Sequence, residues 1–128
     1  MRGVGARIAR RANMNEACLF CRIVRGDIPA RLAYQDEHTL AFHDIDPRAP
    51  VHVLIIPRQH IAGVADLQPA DAEVAGRLLV VAGSLASELG VADNGYRLVV
   101  NSGADAGQSV DHMHMHLLGG RPLQWPPG

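Results

Sequence analysis

The run His112-Met113-His114-Met115-His116-Leu117-Leu118 sets three imidazoles at strict alternation inside an otherwise apolar stretch. Imidazole ordinarily titrates near neutral pH, so such a group can supply a nucleophile, an acid, a base or a metal ligand. In an extended chain successive side chains point to opposite faces. That puts His112, His114 and His116 on one face and Met113, Met115 and Leu117 on the other, with only the second set suited to a core. On a helix the same spacing would scatter the rings around the axis.

The Gly-rich loop Ser102 to Ser109 leads into this run. Gly103, Gly107 and Ser109 leave backbone N–H groups free to approach an anion, and Asn101 adds an amide. An anion-binding loop followed by reactive histidines suits phosphoryl or nucleotidyl transfer. Other chemistries are excluded by what is missing. All twelve basic residues are Arg, so there is no lysine for a Walker A loop or a Schiff base. A nucleophile elbow around Ser109 would need glycine where Asp111 stands.

Cys18-Leu19-Phe20-Cys21 is a second constellation. A C-x-x-C pair supplies half of a tetrahedral zinc site that histidines elsewhere can complete, and read alone it also suits two reduced structural thiols. A redox role lacks the βαβ context it would need.

The elements that must position these groups follow from pattern. Leu19 to Val24 reads as a helical turn or two ended by Gly26, and 31–35 with 39–45 as a hairpin placing Leu40 and Phe42 on one face. Val51 to Ile56, a β-branched run ended by Pro57, reads as a central strand. Pro69 suits a helix start, Asp71 and Glu73 its first turn and Gly90 its stop. Between them Val74, Leu78, Val81, Leu85 and Leu89 form one apolar stripe, and Gly76 and Gly83 suggest close packing on a sheet. Asn94-Gly95 turns into a strand over 96–101, and the histidine strand follows the loop. The pattern is α+β, an antiparallel sheet with one long helix and a short N-terminal helix, the helix covering one face.

At 128 residues, 48% hydrophobic, the chain suits one domain with a single core. Arg2, Arg7, Arg10 and Arg11 make residues 1–13 basic, without the apolar core of a secretory signal, and the stretch reads either as a disordered leader or as an over-called start before Met14. Residues 14–128 then form the single domain. A net charge of −1 gives no reason for a nucleic-acid partner, and no run is long enough to span a membrane. The expected location is cytoplasmic.

The run His112 to Leu118 resembles the signature of the histidine triad (HIT) superfamily of nucleotide hydrolases and transferases. Phe42-His43-Asp44-Ile45-Asp46-Pro47, His52-Val53-Leu54-Ile55-Ile56-Pro57, Asn101-Ser102-Gly103, Gly107-Gln108-Ser109-Val110 and Trp125-Pro126-Pro127-Gly128 are similar to its Hint branch, over about residues 18–128. The resemblance implies a HIT fold whose sheet extends across a homodimer. It further implies a purine nucleoside phosphoramidase, with an AMP- or GMP-like nucleotide as substrate or product.

Carried over by the same resemblance, His114 is the nucleophile that becomes transiently nucleotidylated, His116 binds the phosphate and His52 orients the nucleophile. Asn101, Gly107 and Ser109 contact the phosphate or leaving group, Ser109 among the catalytic set. Asp44 accepts from the ribose hydroxyls beside Ile45, and Phe20, Ile23, Ile28 and Phe42 form the purine slot, although without the resemblance those four read more readily as plain core. No cofactor is implied for catalysis. A structural zinc is implied on Cys18, Cys21, His60 and His112, as in similar bacterial proteins. Trp125 and the terminal prolines imply a tail near the site across the dimer. Asp111 departs from the commonly aromatic residue before the triad, and alternation puts it on the face away from the histidines. His38 and His43 read as surface groups or as groups one layer behind the site.

Two rivals stand beside this reading. One is a metal-binding protein in which H-x-H-x-H is itself the zinc site; the other is a nucleotide-binding regulator with little catalysis.

Overall fold

The computed structural model describes residues 16–128, and the leader expected over 1–13 lies outside them. Helix α1 (Leu19–Val24) is followed by strands β1 (Leu32–Gln35), β2 (Thr39–His43) and β3 (Val51–Pro57), helix α2 (Ala72–Glu88), and strands β4 (Tyr96–Val100) and β5 (Met115–Gly119). The strands form one sheet in the order β1-β2-β3-β5-β4, every neighbour antiparallel. The α+β pattern read from the sequence is therefore the fold. Among the described residues no helix is long and apolar enough to cross a membrane.

The apolar stripe of α2 explains one face of the sheet. Leu78, Val81 and Leu85, with Ala82 and Ala86, pack on Ala41, Val53, Ile55, Met113, Met115 and Leu117. Burying each large member contributes about 1.5–3 kcal/mol. Pro69 lies one turn earlier than expected, in a 3-10 turn (Pro69–Asp71) where the Asp71 carboxylate accepts from the Gln68 N–H at 2.8 Å, and α2 starts after it. Gly90 ends the helix region at φ +77°, where L side chains are strained. The close-packing expectation for Gly76 and Gly83 fails. A Cβ at Gly76 would meet nothing within 4 Å, and one at Gly83 only the Tyr96 hydroxyl at 3.9 Å. The close approaches are instead at Gly119 and Gly120, where a Cβ would lie 2.9 Å from that of Val91 and 2.8 Å from that of Pro50.

The opposite face is covered too, which the sequence pattern did not indicate. Leu40, Phe42, Leu54 and Ile56 pack there with Cys18, Phe20 and Cys21 at α1, making a second small core. The histidine face is thus no solvated surface: His112 and His114 are 0% and 3% exposed.

The histidine run is also only partly strand. β5 begins at Met115, opposite Ile55. Upstream the Met113 N–H bonds to the Ile61 carbonyl instead of continuing the ladder, because β3 ends at Pro57, which has no N–H to offer. The chain stays extended enough for the alternation of faces to hold from 112 to 117.

Candidate active site

His114 sits just ahead of β5 with its Nδ1 2.7 Å from the backbone carbonyl of His112. A carbonyl can only accept, so Nδ1 carries the proton and the Nε2 lone pair is left for chemistry. Phe20 fixes the ring from the side, edge-on at 5.2 Å between centroids, and His116 lies 5.1 Å away.

His116 and His52 form the second part of the site. They stand on neighbouring strands, His116 opposite Leu54 and His52 opposite Leu118, so both rings rise from one face. His52 Nδ1 accepts from the Arg48 backbone N–H at 3.0 Å, which puts the proton of its neutral ring on Nε2. That N–H faces His116 Nδ1 at 2.9 Å and Asp44 Oδ2 at 3.4 Å. With Nδ1 of His116 accepting, its own proton lies on Nε2, a buried atom without a hydrogen-bond partner among the described residues. A buried donor left unsatisfied costs about 1–3 kcal/mol, and an anionic oxygen would recover it. Burial, reinforced by His114 and His52, lowers the pKa of His116 to about 4. Burial likewise lowers that of His52, with Asp44 opposing it. The His52 and His116 rings are thus held toward their neutral forms beside the Asp44 carboxylate.

Asp44, His52 and His116 are close enough to one another to suggest a metal group. Their protons argue against it. Metal on Nε2 of His52 would force the proton to Nδ1, where the Arg48 N–H already donates.

A fitting metal group lies on the far side of Phe20. Cys18, Cys21, His60 and His112 bring their ligand atoms within 4.8 Å of one another. His112 Nδ1 is 3.5 Å from each sulfur, and His60 Nδ1 is 3.2 Å from Cys21 Sγ. Zinc–sulfur and zinc–nitrogen bonds at tetrahedral angles give S···N edges of about 3.6 Å. His112 donates through Nε2 to the Pro57 carbonyl at 2.8 Å, leaving Nδ1 as the ligating atom, and burial lowers its pKa to about 4. Burial also lowers that of His60, partly offset by Asp111 and Asp66. Both rings are neutral, as ligation requires. The four residues can hold a metal ion. The triad rings themselves do not converge, since Nδ1 of His112, His114 and His116 point respectively to the cysteines, a backbone carbonyl and His52.

Next to the histidines runs a cleft of about 530 Å³ whose lining includes Phe20, Ile23, Ile28, Phe42, Asp44, Ile45 and Ser109. The residues expected at a purine slot, a ribose acceptor and a leaving-group contact therefore share one cavity. Leu54 belongs to it as well, a residue that reads in sequence only as central strand. Asp44 Oδ1 accepts from the Asp46 N–H at 2.8 Å, which leaves Oδ2 as the freer acceptor. Asn101, half-buried after β4, and Gly107, exposed at φ +81°, do not line this cleft.

The loop is anchored by Gln108, to which sequence reading gave no role. Its Oε1 accepts from the Gly103 N–H at 2.9 Å and its Nε2 donates to the carbonyls of Ala62 and Val110. Asp111 is exposed beside Cys18, Leu19 and Ser109, because 110–112 form a bend in which strand alternation does not apply. His38 and His43 are half-buried. Trp125 is 79% exposed, its ring 6.0 Å from the Arg97 guanidinium on β4.

A family model described as HIT domain matches residues 25–123. The chain is 46% identical over 110 residues to the purine nucleoside phosphoramidase of Escherichia coli K12, covering 86% of this chain and 92% of that protein. It is 47% identical over 115 residues to an uncharacterised HIT-like protein of Synechocystis, covering 90% of this chain and 100% of that one. Among solved structures, a HIT family hydrolase from Legionella pneumophila matches with a TM-score of 0.85 at 50% identity, over 87% of this chain and 99% of that one.

Proposed function

This chain belongs to the HIT domain family, and from that premise we propose that it hydrolyses the P–N bond of purine nucleoside 5′-phosphoramidates through a nucleotidyl intermediate on His114. The observation that carries this reading is the tautomer of His114, whose Nδ1 is tied to the His112 carbonyl so that Nε2 presents a lone pair.

That lone pair attacks the α-phosphorus, a P–N(imidazole) bond forms and the substrate P–N bond breaks, and the amine departs with the bonding pair and a proton. Water then displaces His114 and releases the nucleoside monophosphate, so one difficult step becomes two easier ones. His116 offers its unpartnered Nε2–H to a phosphate oxygen, and His52 holds His116 in that tautomer. The arriving phosphate favours charged imidazoles, which lets the network supply the amine's proton near neutral pH. Asp44 accepts from the ribose hydroxyls while Phe20, Ile23, Ile28 and Phe42 hold the base, with Ile45 at the rim and Ser109 at the leaving-group side. Asn101 and Gly107 complete the loop contacts to the phosphate.

Zinc is the metal that suits two thiolates and two imidazoles in tetrahedral array. It would tie α1 to the segments carrying His60 and His112, with no part in the bond-breaking steps. A homodimer is supported by the exposed apolar side chains of the edge strand β4 and of α2, among them Tyr96, Val100, Leu79 and Val80.

The test is incubation of the purified protein with an adenosine 5′-phosphoramidate of a fluorescent amine, followed by rapid denaturation and mass analysis of the peptide carrying His114. Release of AMP with a nucleotidyl adduct on that peptide is expected. A folded, metal-loaded protein that turns over no purine phosphoramidate would overturn the reading.

A further inference from the structure

The hydrogen-bond chain through His52 and His116 starts outside the active site. Its first donor is the backbone N–H of Arg48, 3.0 Å from His52 Nδ1. Arg48 lies in the loop between β2 and β3, with Pro47 before it and Pro50 two residues on, neither of which has an N–H to fasten the loop. Its side chain pairs with Asp46 where both are exposed, a contact that contributes little.

Arg121 holds the main chain at this point. Its Nη2 and Nε both donate to the Arg48 carbonyl, at 2.8 and 3.3 Å, while Nη1 donates to the Pro122 carbonyl at 3.0 Å and keeps the planar guanidinium from turning away. Gly120 permits the approach. At φ +93°, and with a Cβ there only 2.8 Å from that of Pro50, it lets the end of β5 lie against the loop. Arg121 follows the strand that carries His116, so the contacts close a circuit. It runs from His116 along β5 to Arg121, across to Arg48, on to His52, and back to His116 at 2.9 Å.

The tautomers depend on this circuit. Burial holds both rings toward their neutral forms, so each has one proton to place. With the Arg48 N–H in position, His52 carries its proton on Nε2, His116 accepts on Nδ1, and the Nε2–H of His116 is the one offered onward. Without that N–H, His52 is free to take its proton on Nδ1 and accept on Nε2. His116 then donates through Nδ1 and turns a lone pair toward the place of a phosphate oxygen, where it repels. Asp44 Oδ2, 3.4 Å from His52 Nε2, favours the first arrangement from the other side, so loss of the clamp shifts the balance without inverting it.

We propose that Arg121 is a positioning residue: by clamping the main chain of Arg48 it fixes the tautomers of His52 and His116, and its effect on turnover rests on the phosphoramidase reading. It touches no substrate in this role.

The test is nitrogen NMR of the ligand-free protein labelled with ¹⁵N-histidine, in the native chain, Arg121→Ala and Arg121→Lys, with kcat/KM for an adenosine 5′-phosphoramidate measured beside it. Protons on Nε2 of both His52 and His116 are expected in the native chain. Arg121→Ala should give nitrogen shifts averaged between the two tautomers and a loss of about two- to tenfold in kcat/KM, the worth of one hydrogen bond. Arg121→Lys, which keeps a donor for the carbonyl, should restore most of both; Arg121→Gln reads the same donor role should Arg121→Ala fail to fold. Native tautomers in folded Arg121→Ala overturn the clamp whatever the kinetics show, and so does averaging as complete in Arg121→Lys as in Arg121→Ala. No turnover by the native chain overturns the phosphoramidase reading, while the nitrogen shifts still decide the clamp.

Discussion

Nδ1 of His114 donates to the backbone carbonyl of His112 across 2.7 Å. One residue of the metal group thus decides which nitrogen of its neighbour is free to react. His112 faces the cysteines with its side chain and His114 with its main chain, so the two sites share a residue without sharing a ligand atom.

Replacing the nucleophile should separate chemistry from binding. His114→Asn or His114→Ala is expected to lower turnover by about a thousandfold or more while nucleotide affinity changes little, since the base cleft and His116 remain. Steady-state kinetics beside calorimetric titration with AMP checks both. Near-normal turnover in a folded variant would remove His114 from its role.

Metal should copurify at about one equivalent per chain and be lost in Cys21→Ser. An ion on Cys18, Cys21, His60 and His112 would tie α1 to distant segments, so its removal by chelation should lower the melting temperature. Elemental analysis paired with thermal melts decides this, and metal-free protein with an unchanged melting temperature would count against it.

Acid should weaken the fold through His116. Its native pKa of about 4 lies below the ordinary 6.5, so between these values the unfolded chain binds a proton that the native ring refuses. The contribution is full above pH 6.5 and is lost as pH falls toward 4, at most about 3 kcal/mol. Urea unfolding across that window should show the decline, with a shallower slope in His116→Asn.

Selection of the nucleoside and of the amine should separate by residue. Asp44→Ala is expected to narrow the preference for ribo- over deoxyribonucleotide substrates, by about 1–3 kcal/mol. Deleting Trp125 to Gly128 should alter selectivity among amines with little change in ribose preference. A kinetic panel varying sugar and amine independently reads both, and an intact ribose preference in Asp44→Ala would contradict the assignment.

Association should depend on α2. Sedimentation of the native chain is expected to give twice the 13.7 kDa of one copy, and Val80→Glu, a charge placed on a side chain 75% exposed in the single chain, should give single copies. Identical sedimentation of the two would exclude this surface from a dimer.

Local pattern was enough for the hairpin, β3, the α2 stripe and the alternation of 112 to 117: turn residues marked the first, a β-branched run ended by proline the second, and spacing of apolar residues the other two. The missed features are those set by distant segments. Burial of the histidine face comes from the six residues of α1, too few to announce a packing role. The late start of β5 follows from Pro57 on another strand, and the pinned tautomer of His52 from the backbone N–H of Arg48, which carries no side-chain signal. The Cys18, Cys21, His60 and His112 group was reached through family resemblance, since spacing indicated only its cysteine half. Asp111 was misplaced because alternation was extended one residue beyond the extended chain.

Phe20 stands between the two cysteines and touches His112, His114 and Phe42 with one ring. A substitution that reshapes this wall therefore also disturbs the packing of His112, in the cysteine–histidine group, and of His114, the proposed nucleophile. Such a site resists gradual retuning from this side. Changes in base preference are more accessible through Ile23 and Ile28, which line the same cleft away from those contacts, whereas variation at position 20 should be tolerated only together with compensating changes at 42 or 112.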